Sequence, residues 1–521
     1  MNALDYVIIA IYLIGFLLLG YLFKNAKSGE DYFLGGRSFK WFPLALSTVA
    51  TQLSAISFIS APAFVGLKDG GGMMWLTYEF AVPIAMIFLM VWLIPPMFKL
   101  GIVSVYEMLE KRYHGSTRVL LSVFFQLSRG FATSVMVYTV ALILTSVMDI
   151  PIWMTILVIG VVTLIYSYQG GMKAVVYGDM IQMIILFLGI LICLGYGLSY
   201  LEGWDGFMSY LDRDRVNVID FQAYGFDGGK EFGFWPMLLG GFFLYASYYG
   251  TDQSQVQRLF SAKDLGTVRK ALLTNGLIRF PITFIYCLMG LILGAFVASN
   301  EAFRAAIPMD KPDLMVPIFI RDFLPNGIIG ILMVAIFSAA MSSLSSTINS
   351  LSAASIEDIF NRKKQLSSDQ YMRYSRWASL FWGVVCIVLA FYTGDIADTV
   401  IEAINKIGSV FYGPIFATFV AAILLRRTNF IGANIGLVLG VGVNVYLWLF
   451  QPDIFWFWWN AIGALVTLSA AVIFSEIFKT GEGGLKVART EISIDYPKTI
   501  ILAIFAVFII LFSYLFPSFF G

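Results

Sequence analysis

"FSAAMSSLSSTINS", residues 337–350, lies between the apolar run GIIGILMVAI at 327–336 and the charged EDIFNRKK at 357–364. Six serines and a threonine fill a segment that its apolar neighbour carries into a membrane, where Leu and Val are expected. On a helix Ser342, Ser345, Ser346 and Asn349 fall three or four residues apart and share a face, with Ser343 on its flank. Two explanations fit this pattern. Small residues let neighbouring helices approach, and serines return their hydroxyls to carbonyls one turn back. Alternatively, hydroxyls facing a break in another helix form a neutral-oxygen cage for a hard monovalent cation, weak enough to release it quickly.

The rest of the chain settles the class. Of 521 residues, 59% are hydrophobic, 16% aromatic and only 13% charged, and the mean hydropathy is +0.81. This is the composition of a polytopic membrane protein, all-α rather than barrel, because the apolar runs are continuous and about 18 residues or longer. About fourteen transmembrane helices are expected, near 4–24, 42–66, 74–98, 117–147, 151–169, 175–199, 233–258, 269–299, 316–352, 372–393, 398–425, 430–450, 455–478 and 498–519. Residues 1–521 read as one transmembrane domain.

Basic residues cluster in alternate loops: Lys24, Arg37 and Lys40; Lys99, Lys111, Arg112 and Arg118; Arg258, Lys263, Arg269 and Lys270; Arg362, Lys363 and Lys364; Arg426 and Arg427. The positive-inside rule places these loops in the cytoplasm and both termini outside, which requires an even number of spans. Cys193, Cys287 and Cys386 sit in apolar runs and read as packing residues. His114 is the single histidine, and no nucleophile–base pair or metal constellation is found, so an enzyme is not expected.

Two further segments are too polar for ordinary spans. The second, LALSTVATQLSAISFISAPAF at 44–64, mixes Ser, Thr and Gln into its middle and ends near Pro62. The seventh carries GGFFLYASYYGTDQSQ at 240–255. The seventh lies five spans after the second, an odd number, so the two run in opposite directions, as corresponding elements of an inverted repeat do. Interrupted helices at such points free carbonyls that bind cations in secondary transporters. Asp179, in GGMKAVVYGDMIQMII at 170–185, opens the sixth span. A helix-start carboxylate is favoured by the dipole, but within an apolar run it otherwise needs a cation or a hydroxyl cluster, which Ser345 and Ser346 supply.

DYFLGGRS at 31–38, YSYQGGMKAVVYGDMIQ at 166–182 and SAAMSSLSSTINS at 338–350 together resemble the sodium:solute symporter family. The resemblance implies a leucine-transporter-like core of two inverted five-helix repeats with a broken first core helix. On that pattern 4–24 is an extra N-terminal helix, 42–199 the first repeat, 233–425 the second, and 430–519 three extra helices. It implies co-transported sodium and no organic cofactor. Site one takes the carbonyls of Ala50, Leu53 and Ala339 and the hydroxyls of Ser342 and Ser343. Site two takes Asp179, Ser345 and Ser346, with Ser342 shared, so two ions per cycle are expected.

For the solute, the sugar-transporting members imply a pocket of Gln52, Ser57, Tyr78, Glu79, Tyr248 and Arg279, with glucose, galactose or myo-inositol as first choice. A carboxylate such as Glu79 accepts hydroxyl hydrogen bonds, as a polyol requires. Arg129 and Lys406 point the other way, to an organic anion such as sialic acid or a monocarboxylate. Lys406 has a second reading as the partner of Glu402, one turn back on its own helix. A passive channel is the remaining class. The expected partners are solute, sodium and the lipid bilayer of the cell membrane, with no nucleic acid.

Overall fold

Peptide groups that enter hydrocarbon find no water to bond, so a chain this apolar satisfies them within helices. The computed structural model describes residues 1–26, 28–53, 55–226, 231–308, 310–392, 400–479 and 494–520. Among them the apolar runs are helical, and an isolated bridge between Phe39 and Ala262 is the one extended pairing. Among the described residues eleven helices are long and apolar enough to cross a bilayer, and one bent pair, taken as a single span, makes a twelfth. The edges expected at 393 and 398 lie outside the described residues.

In chain order the elements that matter are α1 (Ala3–Leu22), the bent pair α2 (Trp41–Gln52) and α3 (Ala55–Gly66), α4 (Met73–Lys99) and α5 (Gly115–Met148). There follow α6 (Ile152–Tyr200), α7 (Phe234–Thr251), α8 (Gln253–Phe260), α9 (Leu265–Ser299) and α10 (Ile328–Ala354). The chain closes with α11 (Ser368–Tyr392), α12 (Val400–Leu424), α13 (Phe430–Phe450), α14 (Trp456–Ile477) and α15 (Tyr496–Leu515).

The interruption expected in the second span is present. Between α2 and α3 the axis bends by 53°, and Leu53 leaves the helical region at φ −81°, ψ 91°. A helix that stops in mid-membrane leaves its last carbonyls without intrahelical donors. The Leu53 amide takes the Val49 carbonyl at 2.9 Å, and the Tyr248 hydroxyl takes that of Thr51 at 3.2 Å.

Two expected spans, 151–169 and 175–199, fall within the single 49-residue stretch α6. It reverses at Gly171, whose φ of 51° and ψ of −146° are not helical. The last turn of α5, from which the chain enters α6, and the far end of α6 reach one segment: Arg321 Nη1 donates to the Ser146 carbonyl of α5 at 3.2 Å, and the Tyr200 hydroxyl of α6 donates to the Phe323 carbonyl. A straight helix of that length spans roughly 70 Å at 1.5 Å per residue, so the stretch folds back. Glycine is required at the turn, where a Cβ would lie 2.6 Å from the Tyr32 carbonyl oxygen. The seventh expected span is likewise divided, at Asp252, into α7 and α8.

The basic loops gather at one face. Arg37 donates to the carbonyls of Phe260 (3.0 Å), Gly101 (2.9 Å) and Ile102 (3.1 Å), and Arg112 to those of Ala422 and Leu425, both at 3.1 Å. At the opposite face the Gly327 amide donates to Asp5 Oδ1 at 2.6 Å and the Tyr6 hydroxyl to the Met148 carbonyl at 3.1 Å. Two residues of the basic loops are corrected to the interior. Arg118 is 2% exposed and bound to Asp358 at 2.6 Å, and Arg258 is 1% exposed.

The serine-rich α10 runs through the centre, buried along almost its whole length. The α3–α9 contact is set by glycines at which any side chain collides: a Cβ on Gly290 would stand 2.6 Å from the Pro62 carbonyl oxygen, and one on Gly66 2.4 Å from that of Gly290. Gly290→Ala should therefore destabilise the protein by about 1–3 kcal/mol, the usual cost of overpacking. Gly195→Ala, where nothing lies within 4 Å of the new Cβ, should leave the melting temperature of the detergent-purified chain unchanged.

Candidate solute cavity and cation sites

The bend between α2 and α3 opens onto a cavity of about 120 Å³. Of the expected solute residues, Gln52, Ser57, Tyr78, Tyr248 and Arg279 line it, and so does Arg129. Glu79 and Lys406 do not. Thr51, Thr133, Thr347, Asn405 and Tyr412 complete the polar wall without having been singled out in the sequence. Thr133 and Thr347 signal themselves only by bonding each other across α5 and α10 at 2.9 Å.

Both arginines are tied to carboxylates. Arg279 Nη2 donates to Glu79 Oε1 at 2.5 Å, and the Thr283 hydroxyl donates to the same oxygen at 2.9 Å. Glu79 is fully buried; its Oε1 is taken by Arg279 and Thr283, and its Oε2 has no hydrogen-bond partner among the described residues. Arg129 Nε donates to Asp252 Oδ2 at 2.5 Å. Its guanidinium carbon lies 4.6 Å from the Tyr248 ring centroid and 5.7 Å from that of Tyr412, so aromatic faces hold it by cation–π contact. Neither arginine is saturated. Nη2 of Arg129, and Nε and Nη1 of Arg279, are buried and have no hydrogen-bond partner among the described residues.

Glu402 is bound by Lys68 at 2.5 Å, joining the segment after α3 to α12. Lys68 is thus a partner of Glu402 that the sequence reading did not name. Among the hydrogen bonds around Gln52, the Tyr249 hydroxyl donates to its Oε1, which leaves the amide nitrogen as its free donor end. Tyr78 is stacked on Tyr245, with ring centroids 5.6 Å apart.

Of the residues expected at site one, Ser343 lines the cavity and the others do not. Ala50, Leu53 and Ala339 are each 2% exposed. Ser343 lines the cavity, and its hydroxyl is buried without a partner among the described residues. Ser342 is turned the other way and donates to Asp179 Oδ1 at 2.6 Å. The donor set is carbonyl and hydroxyl oxygen, which suits a hard monovalent cation held weakly.

At site two Asp179 is fully buried. Its Oδ2 accepts from the Ser47 hydroxyl at 2.6 Å and from Arg258 Nη2 at 2.9 Å. Arg258 Nη2 also donates to the Ser346 hydroxyl, and Nε donates to Ser47 at 2.8 Å. The Ser345 hydroxyl returns to the Ser342 carbonyl at 3.0 Å. Asp179, Ser342 and Ser346 are therefore together, Ser345 turns back on its own helix, and Arg258 and Ser47 are the members the sequence reading missed. The available signal was the polar TDQSQVQR at 251–258, whose helix α8 is buried at every position.

Comparison with known proteins gives a consistent picture. A family profile described as the sodium:solute symporter family matches residues 32–440. The chain is 30% identical over 457 residues to the sodium-coupled monocarboxylate transporter 1 of Mus musculus, covering 85% of this chain and 72% of that one. It is 28% identical over 485 residues to the sodium/sialic acid symporter NanT of Aliivibrio fischeri, covering 92% and 94%. Among solved structures, a substrate-bound, outward-open Na+-coupled sialic acid symporter superimposes with a TM-score of 0.83 at 24% identity, covering 93% of this chain and all of that one. MhsT in complex with L-phenylalanine gives 0.52 at 15% identity, over 84% and 98%. These likenesses assign the leucine-transporter-like fold.

Two substitutions probe the site as built. Ser343→Ala removes an unpaired hydroxyl from site one and should raise the sodium concentration for half-maximal binding roughly tenfold, the effect of about 1.4 kcal/mol. Ser345→Ala, whose hydroxyl serves its own helix, should change it little. Sodium titration of tryptophan fluorescence in the purified protein distinguishes the two.

Proposed function

The chain belongs to the sodium:solute symporter family, and from that premise we propose that it imports a small organic anion with sodium by alternating access. The observation that carries the anion is the pair of guanidiniums, Arg129 and Arg279, at the cavity wall with N–H groups left unpartnered. Buried donors go unpaired at substantial cost unless a ligand meets them, and a carboxylate meets a guanidinium fork with two hydrogen bonds.

Charge balance supports the same reading. Each arginine already has its carboxylate, Asp252 or Glu79, so the cavity wall is neutral before binding. A monoanion adds one negative charge, and sodium at site one, beside Ser343, adds one positive. Binding of each is thereby favoured by the other, which is the coupling a symporter requires. Size points to a small acid: a cavity of about 150 Å³ admits benzene, so the present 120 Å³ suits a solute of roughly five non-hydrogen atoms. Thr51, Gln52, Ser57 and Tyr78, which also line the cavity, favour a solute that also carries a hydroxyl or keto oxygen.

The mechanism follows from the bend. Sodium bridging the freed carbonyls of α2 to the hydroxyls of α10 holds those helices in one relation, and the solute then closes the cavity between α2–α3, α5, α7 and α12. Part of this proposal is the division into inverted repeats at 42–199 and 233–425, and the placement of the basic face in the cytoplasm with both termini outside the cell membrane.

Uptake of radiolabelled solutes into proteoliposomes under an inward sodium gradient tests the proposal. Sodium-dependent uptake of pyruvate or lactate, and not of glucose or myo-inositol, is expected. Uptake of a neutral sugar alone would return Glu79 to the pocket, and uptake indifferent to sodium would indicate a channel. Arg129→Lys keeps a cation for Asp252 but loses the fork. It should raise the KM for the anion at least tenfold, since a hydrogen bond to a charged group is worth about 1.5–3 kcal/mol, while leaving sodium binding intact.

A further inference from the structure

Arg258 stands where the sequence pattern leads one to expect a second sodium ion. Its guanidinium is bonded to Asp179 Oδ2 at 2.9 Å and to the hydroxyl of Ser346, two of the groups expected around that ion. It further donates to Ser47 at 2.8 Å and to the Ser254 carbonyl. Asp179 in turn accepts from Ser342 at 2.6 Å and from Ser47 at 2.6 Å, so its lone pairs are directed to partners already in place. The whole cluster is buried.

We propose that Arg258 is the built-in cation of site two: its guanidinium takes the place of a second sodium ion, so that the chain binds one sodium, at site one. Three physical points carry this. The carboxylate of Asp179 needs one positive charge in this dry environment, and the guanidinium supplies it. A guanidinium is always charged, so it does not make room for sodium by losing a proton. Among the described residues Asp179 is the one carboxylate within ion-pair distance of Arg258. Leaving would strand a buried charge, while staying would set two cations against each other over one acid.

The position of Arg258 also links the two halves of the site. Arg258 lies in the last turn of α8, and Asp252, which caps the start of that helix through the Ser254 amide at 2.9 Å, holds Arg129 in the cavity wall at 2.5 Å. A fixed charge at Asp179 therefore secures the helix whose other end positions the arginine assigned to the solute. With a monoanion as solute and one sodium, the loaded carrier has the same net charge as the empty one.

The inference rests on the sodium reading of site one, and equilibrium binding of radioactive sodium to the purified full chain tests the two separately. Wild type should bind one ion per chain, and Ser343→Ala should weaken that ion. Arg258→Gln should bind two, and adding Asp179→Asn to it should return the count to one. Two ions on wild type would overturn the inference and leave site one standing; none would overturn both. One ion on Arg258→Gln, still sensitive to Ser343→Ala and so bound to a folded site, would also overturn it. Should Arg258→Gln not fold, the wild-type count decides alone.

Discussion

A carboxylate buried in the middle of a membrane protein must be neutralised and fully hydrogen-bonded, and Asp179 is placed under that constraint. Its three partners come from three elements, Ser47 from α2, Ser342 from α10 and Arg258 from α8, while α6 carries the acid itself. Meeting the demand of one acid therefore fixes the broken helix against the serine-rich helix. The same contact settles where the α2 carbonyls end and which way the α10 hydroxyls face. Ser342 is turned to Asp179, and its neighbour Ser343 is left at the edge of the cavity. Adjacent serines of a single helix thus face in two directions.

The cavity is governed by the same economy of charge. Two arginines enter the membrane interior only because Glu79 and Asp252 accompany them. Each pairing uses part of a guanidinium and leaves other buried N–H groups without a partner among the described residues. An Arg–carboxylate pair is well adapted to this, because the fork has five donors and the acid occupies one or two of them. The arrangement keeps unpartnered donors in the interior without presenting a large net charge to the bilayer. Aromatic faces at Tyr248 and Tyr412 hold Arg129 on its remaining side.

Helix breaks recur where these groups are needed. The bend of 53° at the end of α2, the reversal at Gly171 and the interruption at Asp252 each release backbone groups inside the protein. Such groups are tolerated where other parts of the protein satisfy them. Tyr248 reaches the Thr51 carbonyl, and Asp252 caps the next helix. The breaks, the buried ions and the polar face of α10 thus form one continuous polar interior inside an apolar shell.

Much of this was legible in the sequence. Length of apolar runs determines that helices cross a bilayer, because each peptide group must be bonded within its own segment. The serines of α10 and the polar middle of 44–64 stood out against that background, and motif resemblance set Ala50, Leu53 and Ser342 in one expected site and Asp179 with Ser342 in a second. Charge was harder to read. Arg258 and Arg118 looked like loop residues, and Glu79 looked like a free acceptor, because the cost of burying an ion depends on its partner. Arg258 and Asp179 are 79 residues apart, and Arg279 and Glu79 are 200 apart. The sequence by itself determined an all-helical membrane transporter with a hydroxyl-lined interior. Which ions pair, and so which donors remain for solute or sodium, was decided by tertiary structure, since Coulomb attraction and hydrogen bonding act over a few ångströms that only folding brings together.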